Sequence, residues 1–332
     1  MPLISIIMSV YNEEVYLEES LRSIFNQTIG DYELIIVDDC STDKTVEIIR
    51  SFKDPRVKLI INDINMGLTK NLNKALKLCR GDFIARMDGD DICMPDRLRR
   101  QVDYMNQHPE YMLTGCQTRT FGEQNMTWRL KDNPEKLKIM MLLRPVLAHP
   151  TFMMRRELIF DKGFCYDESF RSAQDYELAQ RVSEVYPIGI VQEVLLKYRT
   201  HKKQVSSKSG GTQFANADRI RERQLKRLGV VLDETMRKVY NSWVKEEKNL
   251  EAETFCRAQE LIHIFCRANE EKKIYSSDLM EKTLKELLFT WILRNKSMKI
   301  MLKLPAIFDS AGDLPILAGQ TAEIMKRKIH EE

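Results

Sequence analysis

Asp88-Gly89-Asp90-Asp91 stands directly after the apolar run 82–87. Two carboxylates at positions i and i+2, in a loop that follows a strand, can both turn toward one hard cation. Mg²⁺ and Mn²⁺ prefer oxygen ligands and complete their shells with water and phosphate oxygens. Other polar groups end other apolar runs: Ser9-Val10-Tyr11-Asn12 closes 3–10, and Asp38-Asp39-Cys40-Ser41 closes 33–37. Clustered aspartates repel one another unless a cation or hydrogen-bond donors lie between them. Their gathering at the ends of apolar runs therefore points to ligand binding.

Those runs imply the elements that must position the site. Segment 3–10 is almost continuously apolar, as in a strand buried on both faces. Leu17, Leu21, Ile24 and Phe25 repeat at helical spacing, and 33–37 is again strand-like. Val46 and Ile49 fall on a short helix that Thr42 and Asp43 can begin, and 57–61 is a third strand. Leu68, Leu72, Ala75, Leu76 and Cys79 line one helical face before a fourth strand at 82–87. This βαβαβαβ order predicts an α/β fold with a mostly parallel sheet and helices on both sides. Ligands of such sheets bind outside the carboxyl ends of the strands, where the aspartates stand. Segment 206–211 is linker-like, and from about 213 the pattern is helical.

Composition narrows the choice. The 332 residues are 43% hydrophobic, enough for a substantial core. Lys and Arg number 52 against 49 Asp and Glu, a balance that gives no support to a nucleic-acid partner. No apolar stretch approaches the roughly 20 residues of a transmembrane helix. The first ten residues read as a strand and lack the basic region of a signal peptide. Seven cysteines without a C-x-x-C pair point to reduced thiols and a cytoplasmic protein. There is no G-x-G-x-x-G, no G-K-[ST] and no H-E-x-x-H, which argues against a dinucleotide site, a P-loop and a zinc protease.

Ordered blocks along residues 3–206 carry a family resemblance. They include Ser9-Val10-Tyr11-Asn12-Glu13-Glu14, Val37-Asp38-Asp39-Cys40-Ser41-Thr42-Asp43, Asn65-Met66-Gly67-Leu68 and Arg86-Met87-Asp88-Gly89-Asp90-Asp91. Further on stand His149-Pro150-Thr151-Phe152, Ala173-Gln174-Asp175-Tyr176-Glu177 and Tyr198-Arg199-Thr200-His201. In these blocks the chain resembles the inverting GT-A glycosyltransferases of family 2. The resemblance implies a GT-A catalytic domain over 1–210, with a nucleotide-binding half (1–110) and an acceptor and catalytic-base half (111–210), followed by a helical region over 211–332. It implies that Tyr11 flanks a uracil ring with Ser9 beside it, that Asp39 accepts a bond from the ring N–H, and that Gly67 joins the nucleotide-sugar site. Asp88 would face the ribose, and Asp90 would hold Mn²⁺ or Mg²⁺ at the diphosphate together with His201. Asp175 would be the catalytic base; it follows Gln174, where many members carry an acidic residue.

The implied reaction is transfer of a sugar from a UDP-sugar donor to a hydroxyl of a glycan or glycolipid, with inversion to a β-glycoside. A narrower similarity is to lipooligosaccharide N-acetylglucosaminyltransferases of the LgtA type. It is carried by Ile84-Ala85-Arg86-Met87-Asp88-Gly89-Asp90-Asp91, by Met153-Met154-Arg155-Arg156 and by the run Tyr198-Arg199-Thr200-His201 with its continuation to Lys208. It suggests GlcNAc, with UDP-Gal, UDP-Glc and UDP-GalNAc as alternatives, in bacterial surface polysaccharide synthesis. A non-catalytic sugar-nucleotide-binding protein is the rival reading. Structural roles also compete residue by residue: Asp38 as a loop cap, Asp175 as a helix N-terminal residue, His201 as a surface histidine, and Tyr11 and His149 as core aromatics. Near the C-terminus, Leu284, Leu287, Leu288, Trp291 and Ile292 form an apolar face among Lys282, Lys285, Arg294, Lys296, Lys299 and Lys303. Such a face suits either peripheral contact with the inner membrane, ordinary packing, or a dimer.

Overall fold

The computed structural model describes residues 1–201 and 210–295. Its elements run β1 (Ile4–Val10), α1 (Leu17–Phe25), β2 (Tyr32–Asp38), α2 (Thr45–Ser51), β3 (Val57–Ile61), α3 (Leu68–Leu76) and β4 (Phe83–Arg86). Next come β5 (Ile92–Cys93), α4 (Arg97–Gln107), β6 (Leu113–Gly122), β7 (Thr127–Trp128), α5 (Pro134–Met140), a 3-10 turn (His149–Thr151) and β8 (Met153–Arg155). Then follow α6 (Arg156–Phe160), α7 (Gln174–Ser183), β9 (Ile188–Thr200), α8 (Gly210–Leu228), α9 (Glu234–Val244), α10 (Ala252–Lys272) and α11 (Ser277–Asn295).

One compact unit comprises Met1–Leu137 with Pro145–Ile220. Its sheet has the order β3-β2-β1-β4-β8-β6-β9-β5, with β7 paired to β6. The first four strands are parallel, and the register sets Val10 beside Asp38 and Asp38 beside Ile61. The polar segments after these strands therefore emerge together. Ile4, Ile6, Met8 and Val10 of β1 bury one face against Leu17, Leu21 and Ile24 of α1 and Leu98 and Val102 of α4. By strand alternation Ile7, Ile35 and Val37 turn to the other face, where α3 lies over β1 and β2. The entry to β4 is locked by a buried carboxylate. Glu33 accepts from Ser5 Oγ at 2.7 Å and from the Arg80 backbone N–H at 2.9 Å. Gly81 must be glycine here, because a Cβ would stand 2.6 Å from the Ile4 backbone.

The second half of the sheet mixes directions. β8 is antiparallel to both β4 and β6, while β9 runs parallel to β6 with register shifts around Cys116 and Gln117. Bulges of this kind increase local twist and bend a strand. The linker reading of 206–211 needs revision: Gly210 and Gly211 open α8, and 206–209 lie outside the described residues. Glycine is tolerated there because the first N–H groups of a helix lack intrahelical partners in any case.

The second unit comprises Lys138–Arg144 and the described residues from Arg221 on. Leu284, Leu288, Trp291 and Ile292 are its interior, packed with Trp243, Phe255, Phe265 and Leu142. Trp291 stacks on Trp243 at 6.1 Å, meets Phe255 edge-on at 4.7 Å and donates its indole N–H to the Glu247 carbonyl at 3.0 Å. Of the three uses this apolar face could have, the described side chains show packing, in the unit's own core. Lys285 pairs with Glu281 at 2.9 Å, and Lys296, Lys299 and Lys303 lie outside the described residues. No helix among the described residues is long and apolar enough to cross a membrane. Truncating a fully buried tryptophan removes both packing and a hydrogen bond, so Trp291→Ala is expected to destabilise the unit by about 3–5 kcal/mol. Urea unfolding followed by circular dichroism checks this; a loss under about 1 kcal/mol would mean that Trp291 is not a core residue.

Candidate active site

Two loops leave the sheet side by side and are stitched together. The Asn12 N–H donates to Ser41 Oγ at 2.9 Å, and Asn12 Oδ1 accepts from the Thr42 N–H at 2.8 Å. Glu13 and Glu14 donate their backbone N–H groups to Thr45 Oγ1 and Asp43 Oδ2 at 2.8 and 3.0 Å. Asn12 and Cys40 adopt left-handed backbone angles to make this turn, at φ 53° and 64°. Ser9 is half-buried on β1, and Tyr11 just beyond it is 49% exposed. Tyr11 is therefore not a core aromatic. Asp38 caps its own loop, accepting from the Ser41 N–H at 3.0 Å.

Asp39 is buried and turns its carboxylate toward the loop before α3. Oδ1 accepts from Asn62 Nδ2 at 2.9 Å and from the Met66 N–H at 2.7 Å, and Oδ2 accepts from the Gly67 N–H at 2.8 Å. Burial pushes its pKa up, but the Met66 N–H, the Asn71 and Asn62 side chains and the Gly67 N–H outweigh it and hold the carboxyl below its usual value. Each carboxylate oxygen has two acceptor sites, so Oδ2 keeps capacity for one further N–H. Gly67 begins α3 at φ 87°, a conformation that favours glycine, and open space lies where a side chain would stand.

Beyond β4 the carboxylates converge. Oxygens of Asp88, Asp90 and Asp91 lie within 4.8 Å of one another. Asp88 is paired with the buried Arg86, and His201 Nε2 stands 3.1 Å from Asp90 Oδ2. Arg199 ties β9 to this loop: its backbone N–H donates to Asp91 Oδ1 at 2.7 Å, and its Nε donates to the Asp90 carbonyl at 2.7 Å. Asp91 Oδ2 is buried without a hydrogen-bond partner. Burial, then Asp88 and Asp90, raise the Asp91 pKa well above the usual value. Glu13 faces the same group; burial, then Asp90, Asp88 and Asp43, push it up to about 8. A cluster of oxygens that cannot all ionise comfortably, one of them unpartnered, suits a divalent cation.

Asp175 lies half-buried in the first turn of α7, next to Ala173 in a left-handed conformation. Burial raises its pKa, with the Tyr176 N–H and Arg86 opposing. Its charge is felt by Asp88, so its carboxyl and the acidic loop lie near one another. The segment before α7 is held by α3: Thr69 Oγ1 donates to the Phe170 carbonyl at 2.7 Å, and Asn73 bonds Tyr166 through both its carbonyl and N–H. His149 is a packing residue. It is buried against Phe152 and Tyr166, with Nε2 2.8 Å from the Tyr166 hydroxyl, and burial keeps it neutral.

Every candidate residue read from the sequence stands at the strand ends or on the elements packed against them. The reading assigned no role to Asp91, Glu13, Arg86, Arg199 or Asn62. All but Asn62 stand inside the quoted motifs, but only the fold shows that Arg86 and Arg199 face carboxylates. An amide at position 39 keeps one accepting oxygen and sets an NH2 donor against the other N–H, either that of Met66 or that of Gly67. Asp39→Asn is expected to cost about 1–3 kcal/mol at neutral pH. The folded carboxyl lies below its unfolded value, so this stabilisation is present above about pH 4 and is lost as pH falls through the folded value. Thermal unfolding of both proteins from pH 3 to 7 should show the gap closing at low pH; a constant gap would contradict the assignment.

Comparison with known proteins agrees with this geometry. Residues 5–163 match the family described as Glycosyl transferase family 2. Glycosyltransferase MJ1057 of Methanocaldococcus jannaschii, uncharacterised, is 36% identical over 60% of this chain and 71% of its own length. The O-antigen biosynthesis glycosyltransferase WbnJ of Escherichia coli is 35% identical over 60% of this chain and 81% of that protein. The amylovoran biosynthesis glycosyltransferase AmsE of Erwinia amylovora is 29% identical over 70% and 87%. Among solved structures, residues 1–349 of TarS from S. aureus, in complex with UDP-GlcNAc, superpose with a TM-score of 0.59 at 18% identity, covering 85% of this chain and 90% of that one. Mannosyltransferase PcManGT of Pyrobaculum calidifontis, in complex with GDP-Man and Mn²⁺, gives 0.51 at 17% identity over 99% and 86%. The fold is GT-A, and the chain belongs to glycosyl transferase family 2 and is a glycosyltransferase.

Proposed function

We propose that this glycosyltransferase is a divalent-metal-dependent inverting enzyme that moves a sugar from a UDP-sugar to a hydroxyl of a glycan or glycolipid. The observation that carries the reading is the convergence of Asp88, Asp90 and Asp91 at the strand ends, with Asp175 close enough to be felt by Asp88. Tyr11, Ser9 and Gly67 line the place for the uridine, and Asp39 Oδ2 offers its remaining acceptor site to the uracil N–H. A base lacking that donor would leave a buried acceptor unpaired, which makes Asp39 a base reader. Asp88 faces the ribose. Asp90, with Asp91 and His201, supplies the ligands for Mn²⁺ or Mg²⁺. The ion's contribution is to neutralise charge on the departing diphosphate.

Asp175 acts on the acceptor. Its carboxylate takes the proton of the attacking hydroxyl as that oxygen approaches C1 from the side opposite the diphosphate. One displacement inverts the anomeric centre, so an α-linked donor yields a β-glycoside and no nucleophilic carboxylate is required. GlcNAc is the sugar we favour, on the resemblance of the 153–156 and 198–208 blocks, with Gal, Glc and GalNAc as alternatives. The product class is surface polysaccharide, lipooligosaccharide included, supported by the biosynthetic roles named for AmsE and WbnJ. We place the enzyme on the cytoplasmic side, where UDP-sugars are made. Residues 1–110 serve the nucleotide and 111–210 the acceptor and base, and the described residues beyond them carry α8 to α11.

Asp175→Asn is expected to lower transfer by about 10²–10⁴-fold while UDP binding persists. Burial holds Asp175 above the usual carboxylate range, and the deprotonated form is the active one. Wild-type kcat should therefore rise with pH along a limb centred above about 4. Retained transfer in the variant would refute the base assignment.

A further inference from the structure

Of the three tryptophans, Trp243 and Trp291 are buried and Trp128 is 45% exposed. Trp128 sits on the two-residue strand β7, in register with Thr118 of β6. Among the described residues its aromatic partner is Tyr198 of β9, with ring centroids 5.5 Å apart and planes tilted by 36°. Tyr198 is next to Arg199, the residue bonded to Asp90 and Asp91. The Tyr198 phenol is held un-ionised by burial and by the field of Asp88, Asp91 and Asp90. Trp128 thus packs on the strand β9 that also carries Arg199, the residue bonded to the acidic loop.

The mounting is rigid. Thr120 exchanges backbone and side-chain hydrogen bonds with Met126 at 2.7 Å each, closing the β6–β7 hairpin. Its tip is fastened to the end of β9: the Gln124 N–H donates to Thr200 Oγ1 at 2.8 Å, and the Glu123 N–H donates to the Thr200 carbonyl at 3.1 Å. Gly122 allows this approach at φ 95°, since a Cβ there would stand 2.6 Å from the Thr200 oxygen. An exposed indole on a hairpin fastened in this way keeps a large apolar surface available with little backbone ordering left to pay on binding.

We propose that Trp128, backed by Tyr198, is a stacking platform for a pyranose ring of the acceptor. The inference rests on the glycosyltransferase reading and names a specificity-determining residue within it. A pyranose presents an apolar C–H face that covers an aromatic ring, while its hydroxyls stay in water or reach polar neighbours. Position favours the acceptor over the donor. The loops proposed for the uridine follow β1, β2 and β3, whereas Trp128 hangs from β6 and β9, on the other side of β4 and the acidic cluster in strand order.

The test combines kinetics with tryptophan emission. Acceptors are methyl β-glycosides of Glc, Gal, GlcNAc and GalNAc, lactose and cellobiose; donors are the corresponding UDP-sugars with Mn²⁺. Release of UDP by the wild type with water as acceptor tests the glycosyltransferase reading by itself. For the platform, a saturable blue shift of wild-type emission on adding a saccharide is expected, absent in Trp128→Ala. The same variant should raise the acceptor KM about tenfold and the donor KM by less than about twofold, with Trp128→Phe recovering most of the loss. A purely structural role would lower kcat or stability without that split. No emission shift with any saccharide, whether or not UDP is released, overturns the platform. So does a shift produced by a UDP-sugar alone, or an increase confined to the donor KM.

Discussion

Like charge is the constraint that organises this molecule. Asp88, Asp90 and Asp91 are brought within one ion's reach, and Glu13 and Asp175 are close enough to feel them or be felt. Such a group is stable only if the fold supplies positive charge and donors from several directions. Arg86 does so from beneath, buried and paired with Asp88, and Arg199 from β9 through its backbone N–H and guanidinium. What these cannot balance remains as a raised pKa on Asp91 and Glu13 and as an unpartnered oxygen on Asp91. The sheet topology thus gathers more negative charge at these strand ends than the surrounding donors neutralise.

A second constraint links the nucleotide end to the acceptor end. Asp39 binds the loop that starts α3, and the side chains of α3 at Thr69 and Asn73 hold the segment that leads to Asp175. Asp39 and the segment that leads to Asp175 are therefore fastened to one short helix. Chain connectivity alone would leave the two aspartates 136 residues apart, at positions 39 and 175. A proton acceptor must be placed within hydrogen-bond reach of its hydroxyl, so a shared rigid element serves catalysis better than two loops.

The nucleotide half was legible because its physics is local. Strands buried on both faces read as continuous apolar runs, and the helix at 68–76 shows its period in Leu68, Leu72, Ala75 and Leu76. Strand-end polar residues follow from topology. The second half was opaque because β6, β8 and β9 alternate in direction and pair across long separations, which leaves no local period. The C-terminal apolar face illustrates a further limit. Amphipathic spacing at Leu284, Leu288, Trp291 and Ile292 shows that a face is buried but not against what, and here it is buried in its own helical unit. Arg86 and Arg199 were unreadable for the same reason: an arginine's partner is a property of the fold.

The most direct test is calorimetric titration of the full chain with UDP and UDP-GlcNAc, each with and without Mn²⁺, and with GDP as control. The account predicts binding of uridine nucleotides that Mn²⁺ tightens by about tenfold or more, with GDP much weaker. Binding indifferent to Mn²⁺, or a preference for GDP, would contradict the assignment of the Asp88–Asp91 cluster to a metal–diphosphate site and of Asp39 to the base.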